Sequence, residues 1–258
     1  MVATAARPRA LEALGLVHEP GEEQSELRDP GALRYALRGI FPVVWWGDVR
    51  IERDGSLLAG IYPGYLEGQV RQPSNIFFYG SSDNGHTWDL RGRVLYEPDL
   101  GADPRGAERD GFTEPAFVIL ADGSMLCVTR TTDGLGVGPM YASRSADRGR
   151  TWTRPVVFTK TGVMPRLLRL EGGTLVLSSG RPGVDLRLDF DGRGTTWTEP
   201  HTLVPVTSSD LHADSCGYTD LLATGRDSFL IAYSWFHAKD AEGRERKTIL
   251  VRRIELRR

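Results

Sequence analysis

Apolar and polar positions along this chain follow a short strand-and-turn rhythm rather than the three-to-four spacing of an amphipathic helix. Four times an apolar run meets a tight polar turn and is followed by a second apolar run. The units are DVRIERDGSLLAGIY from Asp48, EPAFVILADGSMLCVTR from Glu114, PRLLRLEGGTLVLSSGR from Pro165 and YTDLLATGRDSFLIAYS from Tyr218. The turns Asp54-Gly55 and Asp122-Gly123 carry the dipeptide best suited to a two-residue hairpin, and Arg226-Asp227 takes the same place in the fourth unit. In the first three units further strands follow, such as NIFFYGS or PMYASRS and then RGRVLY or PVVFT, so each unit reads as a four-stranded antiparallel meander. The best helical candidate is ARPRALEALG near the N-terminus. Sheets repeated radially are the β-propeller's way of removing exposed strand edges, so the pattern predicts an all-β chain with four recognisable blades. Residues 1–40 read as an N-terminal extension and residues 41–258 as the propeller domain.

A second repeat lies inside the first. SSDNGHTW, from Ser81 to Trp88, and SADRGRTW, from Ser145 to Trp152, share the spacing Ser-x-Asp-x-Gly-x-Thr-Trp, and a blurred third copy, DGRGTTW, runs from Asp191 to Trp197. An active site needs its acid once, so three copies point to structure. In a hairpin between third and fourth strands, Asp83 and Asp147 can accept hydrogen bonds from backbone amides just downstream. The glycine supplies a backbone shape other residues resist, and the indole packs beneath.

Composition narrows the partners. With 258 residues, 40% of them hydrophobic, the chain can bury a full core as one domain. Its net charge of -2 gives no reason to expect nucleic acid or an anionic membrane. No segment approaches the ~18 apolar residues of a membrane span, and no signal-peptide core is visible, so the chain as written reads as cytoplasmic. Cys127 and Cys216 are too few for a disulfide framework, and the five histidines show no zinc spacing, so neither metal nor cofactor is expected. The glycine-rich TTDGLGVGPMY from Thr131 opens no helix and reads as a loop over the channel mouth.

The repeat supplies its own alignment. Nine residues before the central turn positions Gly55, Gly123, Gly173 and Asp227 stand Trp46, Glu114, Met164 and Tyr218, which begin the innermost strand of each blade. Seven or eight residues after them stand Tyr62, Arg130, Arg181 and Ser234, returned to the same end because the hairpin is antiparallel. One channel mouth should therefore gather Glu114, Arg130, Arg181, Tyr218, Trp46 and Tyr62, a set that suits an anionic sugar. Simple pairing of Arg130 with Glu114 across the blade is the competing account.

The Ser-x-Asp-x-Gly-x-Thr-Trp pattern resembles the Asp box, or BNR repeat, of the sialidase superfamily. GFTEPAFVILADGSMLCVTR, SSGRPGVDLRLDF and CGYTDLL resemble the sialidase segments around its glutamate, an arginine and its tyrosine. The resemblance implies a sialidase-like β-propeller and a retaining exo-alpha-sialidase type of reaction on a glycan or small sugar. Tyr218 would be the nucleophile, Glu114 its base, and Arg130 and Arg181 the clamp on a substrate carboxylate. A neutral tyrosine avoids the repulsion that a carboxylate nucleophile would meet from an acidic sugar. Departures accompany the matches: FPVVWWGDV stands where the family's first arginine belongs, and its acid/base aspartate has no counterpart. Both belong to the first blades of a six-bladed ring, so the resemblance implies a chain short of one or two N-terminal blades, or one completed by its N-terminal strands or by another subunit. Asp48, two residues beyond Trp46 and on the same strand face, is the substitute acid, with capping or pairing to an arginine as its alternative. A non-catalytic carbohydrate-binding propeller and a glycosidase or lyase of different specificity both stay open, as does the oligomeric state.

Overall fold

The computed structural model describes residues 16–17, 26–27, 48–64, 73–131 and 137–257. The helix expected over ARPRALEALG lies outside them. A two-stranded ribbon, β1 (Leu16–Val17) and β2 (Glu26–Leu27), precedes the main array. The first sheet is β3 (Val49–Ile51), β4 (Leu57–Gly64), β5 (Asn75–Ser81) and β6 (Asp89–Val94); the second is β7 (Phe112–Ile119), β8 (Met125–Thr131), β9 (Met140–Ser145) and β10 (Val156–Thr159). The third is β11 (Val163–Arg169), β12 (Leu175–Gly180), β13 (Val184–Asp189) and β14 (His201–Val204). The fourth departs from the expected four strands and holds three, β15 (Thr219–Gly225), β16 (Ser228–Lys239) and β17 (Glu245–Glu255). All pairings within these sheets are antiparallel between chain neighbours, as the meander reading requires.

The apolar runs look continuous because both faces of the middle strands are buried. On β8, Met125 and Cys127 pack with Leu58, Ile76 and Phe78 of the first sheet, while the alternate residues Leu126 and Val128 pack with Leu167, Leu175 and Leu177 of the third. On β12 the alternation repeats, with Val176 joining Phe229, Ile231 and Tyr233 of the fourth sheet. Each sheet is thus sandwiched face to face with the next. A fully buried Leu or Phe contributes about 1.5–3 kcal/mol, so these three seams hold the array together.

The Asp boxes close the β5–β6 and β9–β10 hairpins. Asp147 Oδ1 accepts from Ser145 Oγ and from the N–H groups of Arg150 and Thr151, and Oδ2 accepts from Thr151 Oγ1 at 2.6 Å. Asp83 repeats the pattern with Ser81 and Thr87. In all three boxes the indole N–H returns to the box glycine carbonyl, Trp88 to Gly85, Trp152 to Gly149 and Trp197 to Gly194, at 2.9 to 3.0 Å. Two of the rings also reach across a seam: Trp152 stacks on Phe78 of the preceding sheet, with centroids 4.3 Å apart, and Trp197 meets Phe158 of the second sheet edge-on.

The third box uses a different carboxylate from the one its sequence suggests. Asp189, fully buried at the end of β13, accepts from the N–H groups of Asp191, Gly192 and Thr196. Of the box amides, Asp191 accepts the N–H of Arg193. The carboxylate that serves this turn therefore stands two residues before Asp191, at the end of the strand.

The first strands converge. β7 lies against β4 on one side and β11 on the other, and β11 lies against β15. Arg50, on β3, donates to the carbonyls of Phe117 on β7 and Leu167 on β11. Arg50 thus bridges three of the four innermost strands, and β15 joins them through β11.

Candidate active site

Glu114 and Met164, equivalent in the repeat, share a local irregularity that builds the site. Both have positive φ, 50° and 45°, both precede a proline, and both lie at a register break of an innermost strand, β7 or β11. Such a backbone is uncommon for residues other than glycine and is maintained only where its surroundings enforce it. A bulge re-aims side chains and frees an N–H from the ladder. Here the Glu114 side chain turns into the axis, and the N–H of Met164 donates to Glu114 Oε2 at 2.8 Å.

Glu114 Oε1 accepts twice more, from Arg130 Nη1 at 2.9 Å and from the Tyr218 hydroxyl at 3.0 Å. The buried carboxylate thus gathers three sheets. Arg130 is returned to it by the antiparallel β7–β8 hairpin, as the sequence alignment requires, and the pairing of Arg130 with Glu114 is real. Burial, then the Glu114 charge and hydrogen bond, hold the Tyr218 phenol above its ordinary pKa, while Arg130 and Arg181 act in the opposite direction. Tyr62 shares this field: burial first, then Glu114 and Tyr218, push it up to about 12.

Arg181 has φ of 47° at the tip of the β12–β13 turn. Its guanidinium lies 5.5 Å from the Tyr218 ring centroid, a cation–π contact, and its Nε donates to the Cys216 carbonyl at 3.0 Å. Two glycines allow this approach. A Cβ on Gly180 would fall 1.9 Å from the Gly217 carbonyl oxygen, and one on Gly217, itself at φ 79°, would fall 2.7 Å from Arg181 Cγ. The segment leading to Tyr218 is further fixed by Ser215 Oγ and Ser234 Oγ, which accept the N–H groups of Gly217 and Cys216.

Asp48 occupies a second layer. Counting two residues on from Glu114, Met164 and Tyr218 gives Ala116, Arg166 and Asp220, and the strand rise of about 3.3 Å per residue puts this layer roughly 6–7 Å deeper along the axis. Asp48 accepts from Arg50 Nη2 at 2.8 Å, and Arg166 lies between two carboxylates, 3.6 Å from Asp48 and 3.6 Å from Asp220. Burial raises the Asp48 pKa, with Arg50 and Arg166 opposing it. Among the described residues no hydrogen bond links Asp48 to Glu114 or Tyr218. Trp46 lies outside the described residues.

Sequence reasoning missed the backbone N–H of Met164, which no side-chain pattern reveals. It also missed Arg166 and Asp220, which the same repeat count continued by two residues would have found. Among the described residues no group of three or more His, Cys, Asp or Glu side chains is arranged to hold a metal ion. No helix among them is long and apolar enough to cross a membrane.

Sheets stacked face to face, first strands converging on an axis and Asp boxes closing the outer hairpins define a sialidase-like BNR β-propeller. The BNR repeat-like domain model matches residues 47–231, and the chain belongs to that family. Comparison with curated protein sequences gave no match. Among solved structures, a protein of unknown function from Dyadobacter fermentans is similar with a TM-score of 0.60 and 20% identity, over 84% of this chain and 55% of that one. The GH93 alpha-L-arabinofuranosidase of Fusarium graminearum, in complex with arabinobiose, gives 0.59 and 16%, over 82% of this chain and 62% of that one. A sialidase from Trypanosoma rangeli gives 0.51 and 14%, over 78% and 30%. This chain spans little more than half the length of the first two. Likeness at these identities is a likeness of fold.

Proposed function

We propose that the protein is a sialidase-like glycoside hydrolase that acts on an acidic sugar with retention of configuration. The observation that carries this reading is the shared Glu114 Oε1, which accepts from both the Tyr218 hydroxyl and Arg130 while Arg181 lies over the tyrosine ring. A phenol is a poor nucleophile at its ordinary pKa and needs a base in contact. In the proposed first step the Tyr218 oxygen bonds to the anomeric carbon, the phenolic proton passes to Glu114, and the glycosidic oxygen leaves with a proton from an acid. Water then displaces the tyrosine, giving a proton to the carboxylate of the spent acid, and Glu114 returns its proton to the phenolate oxygen. Asp48 is the acid in this reading: burial pushes its pKa up against the pull of Arg50 and Arg166, and it serves a leaving group that reaches the deeper layer. Arg181 and Arg130, with Tyr62 beside them, receive the substrate carboxylate through charge-assisted hydrogen bonds.

A second reading, a neutral-sugar glycosidase on the same frame, is favoured by the commitment of Arg130 to Glu114 and Arg181 to the Cys216 carbonyl. The arabinofuranosidase likeness agrees with it in fold. The deciding experiment is hydrolysis of fluorogenic sialosides, uronides and arabinofuranosides by the purified chain and by Tyr218→Phe. Release from the sialoside alone, abolished by Tyr218→Phe, supports the acidic reading. Release from the arabinofuranoside alone replaces it with the neutral one, and no release from any leaves a sugar-binding propeller.

A further inference from the structure

A cleft of about 470 Å³ runs between the second and third sheets from Arg181 and Pro182 at the mouth end to Trp197 in the third Asp box. That volume lies within the range of roughly 300–1,000 Å³ usual for small-molecule sites. Five charged side chains line it: Lys160, Arg181, Arg187, Asp185 and Glu199. Among the described residues none of the three cations makes an ion pair. Arg187 has only a long hydrogen bond to the Thr198 carbonyl, and Asp185 is occupied by Thr202 Oγ1 at 2.7 Å. Trp197 and Phe158, edge to face with centroids 5.7 Å apart, give the cleft an aromatic wall. Positive charge in excess, unpaired in place, beside partly exposed aromatic rings is the lining that takes an anionic sugar chain: cations meet its acid groups and ring faces meet its C–H surfaces. Arg181 joins the cleft to the mouth, since the same residue lines one and lies over the Tyr218 ring in the other.

We propose that this cleft binds the extension of an anionic oligosaccharide whose terminal residue occupies the Glu114–Tyr218 mouth, with Lys160 and Arg187 reading its charge and Trp197 its ring faces. The proposal rests on the mouth being a sugar site and adds that the substrate is an acidic oligomer rather than a single capping sugar.

The test is calorimetric titration of the full chain carrying Tyr218→Phe, which blocks turnover. The probes are N-acetylneuraminic acid, its α2,8-linked trimer, galacturonic acid and its α1,4-linked trimer. One trimer should bind about tenfold or more tightly than its monomer, the effect of a single charge-assisted contact. Lys160→Gln with Arg187→Gln should remove that advantage while leaving monomer affinity within about twofold. Arg187→Lys, alone, should retain most of it. No trimer advantage, or an advantage that survives both glutamine substitutions, overturns the proposal, and equal loss in Arg187→Lys and Arg187→Gln overturns the assignment of charge reading. Failure of the mouth reading is separate: monomer affinity would then be indifferent to Arg130→Ala, while the dependence of the trimer on Lys160 persists. Lys160 is exposed and Arg187 half-buried on the cleft wall, and thermal unfolding of each variant checks the fold.

Discussion

The hydroxyl of Tyr218 donates to Glu114 Oε1 over 3.0 Å although 104 residues separate the two in the chain. The contact joins the first strand of the second sheet to the residue preceding the first strand of the fourth. It exists because the third sheet between them brings both strand ends to one axis. Such a contact costs chain entropy to form and holds a reactive group at a base, which is the combination expected of a site rather than of a core.

Replacement of Tyr218 by Phe keeps the ring under Arg181 and removes the oxygen. Turnover of whichever glycoside is cleaved should fall by roughly a thousandfold or more, with KM changed little. Steady-state kinetics measures this, and unchanged kcat would remove Tyr218 from the chemistry.

Glu114→Gln tests how fully the carboxylate is used. Three donors meet its two oxygens, and an amide has one acceptor oxygen and an NH2 that must face Met164 N–H or the Arg130 and Tyr218 pair. One buried donor is left without an acceptor, which costs about 1–3 kcal/mol. Chemical denaturation should show that loss, and kcat should fall roughly 10²- to 10⁴-fold as the base is removed. A variant of native stability would mean that the Glu114 contacts do not hold the sheets.

The Asp boxes should be separable from activity. Asp147→Ala should lower the melting temperature while leaving the turnover of the folded fraction intact. In the third box Asp189→Ala should destabilise by about 1–3 kcal/mol, because it strips buried N–H groups of their acceptor. Asp191→Ala, at an exposed turn, should leave unfolding close to native. A reversed order would return the box carboxylate to Asp191.

Acid should expose the same staples. Asp83 and Asp147 are held at about 2, each by a threonine side chain and amide first, below the ordinary value of 3.8. A carboxyl depressed in the fold contributes stability that is complete above its unfolded pKa and lost as pH falls through the folded one. Stability should therefore decline between about pH 4 and pH 2, and Asp147→Asn should flatten that decline. Denaturation at pH 6, 4, 3 and 2 measures the slope, and parallel curves for the two proteins would refute the assignment.

The sequence alone dictates the strands, their antiparallel order and the equivalence of Glu114, Met164 and Tyr218. These follow from local rules: apolar runs punctuated by Asp-Gly turns, and a repeat that counts its own positions. It also determined that Asp83 and Asp147 are structural, since the motif recurs and closes within eight residues. That the N–H of Met164 holds Glu114 emerges only with the fold, because a freed amide depends on a bulge and not on residue type. Only it decided that Asp189 replaces Asp191, since a carboxylate works from wherever it reaches the amides. And only it put Arg166 between Asp48 and Asp220: the repeat count assigns the three to one layer, but which of them pair depends on sheet packing across three blades.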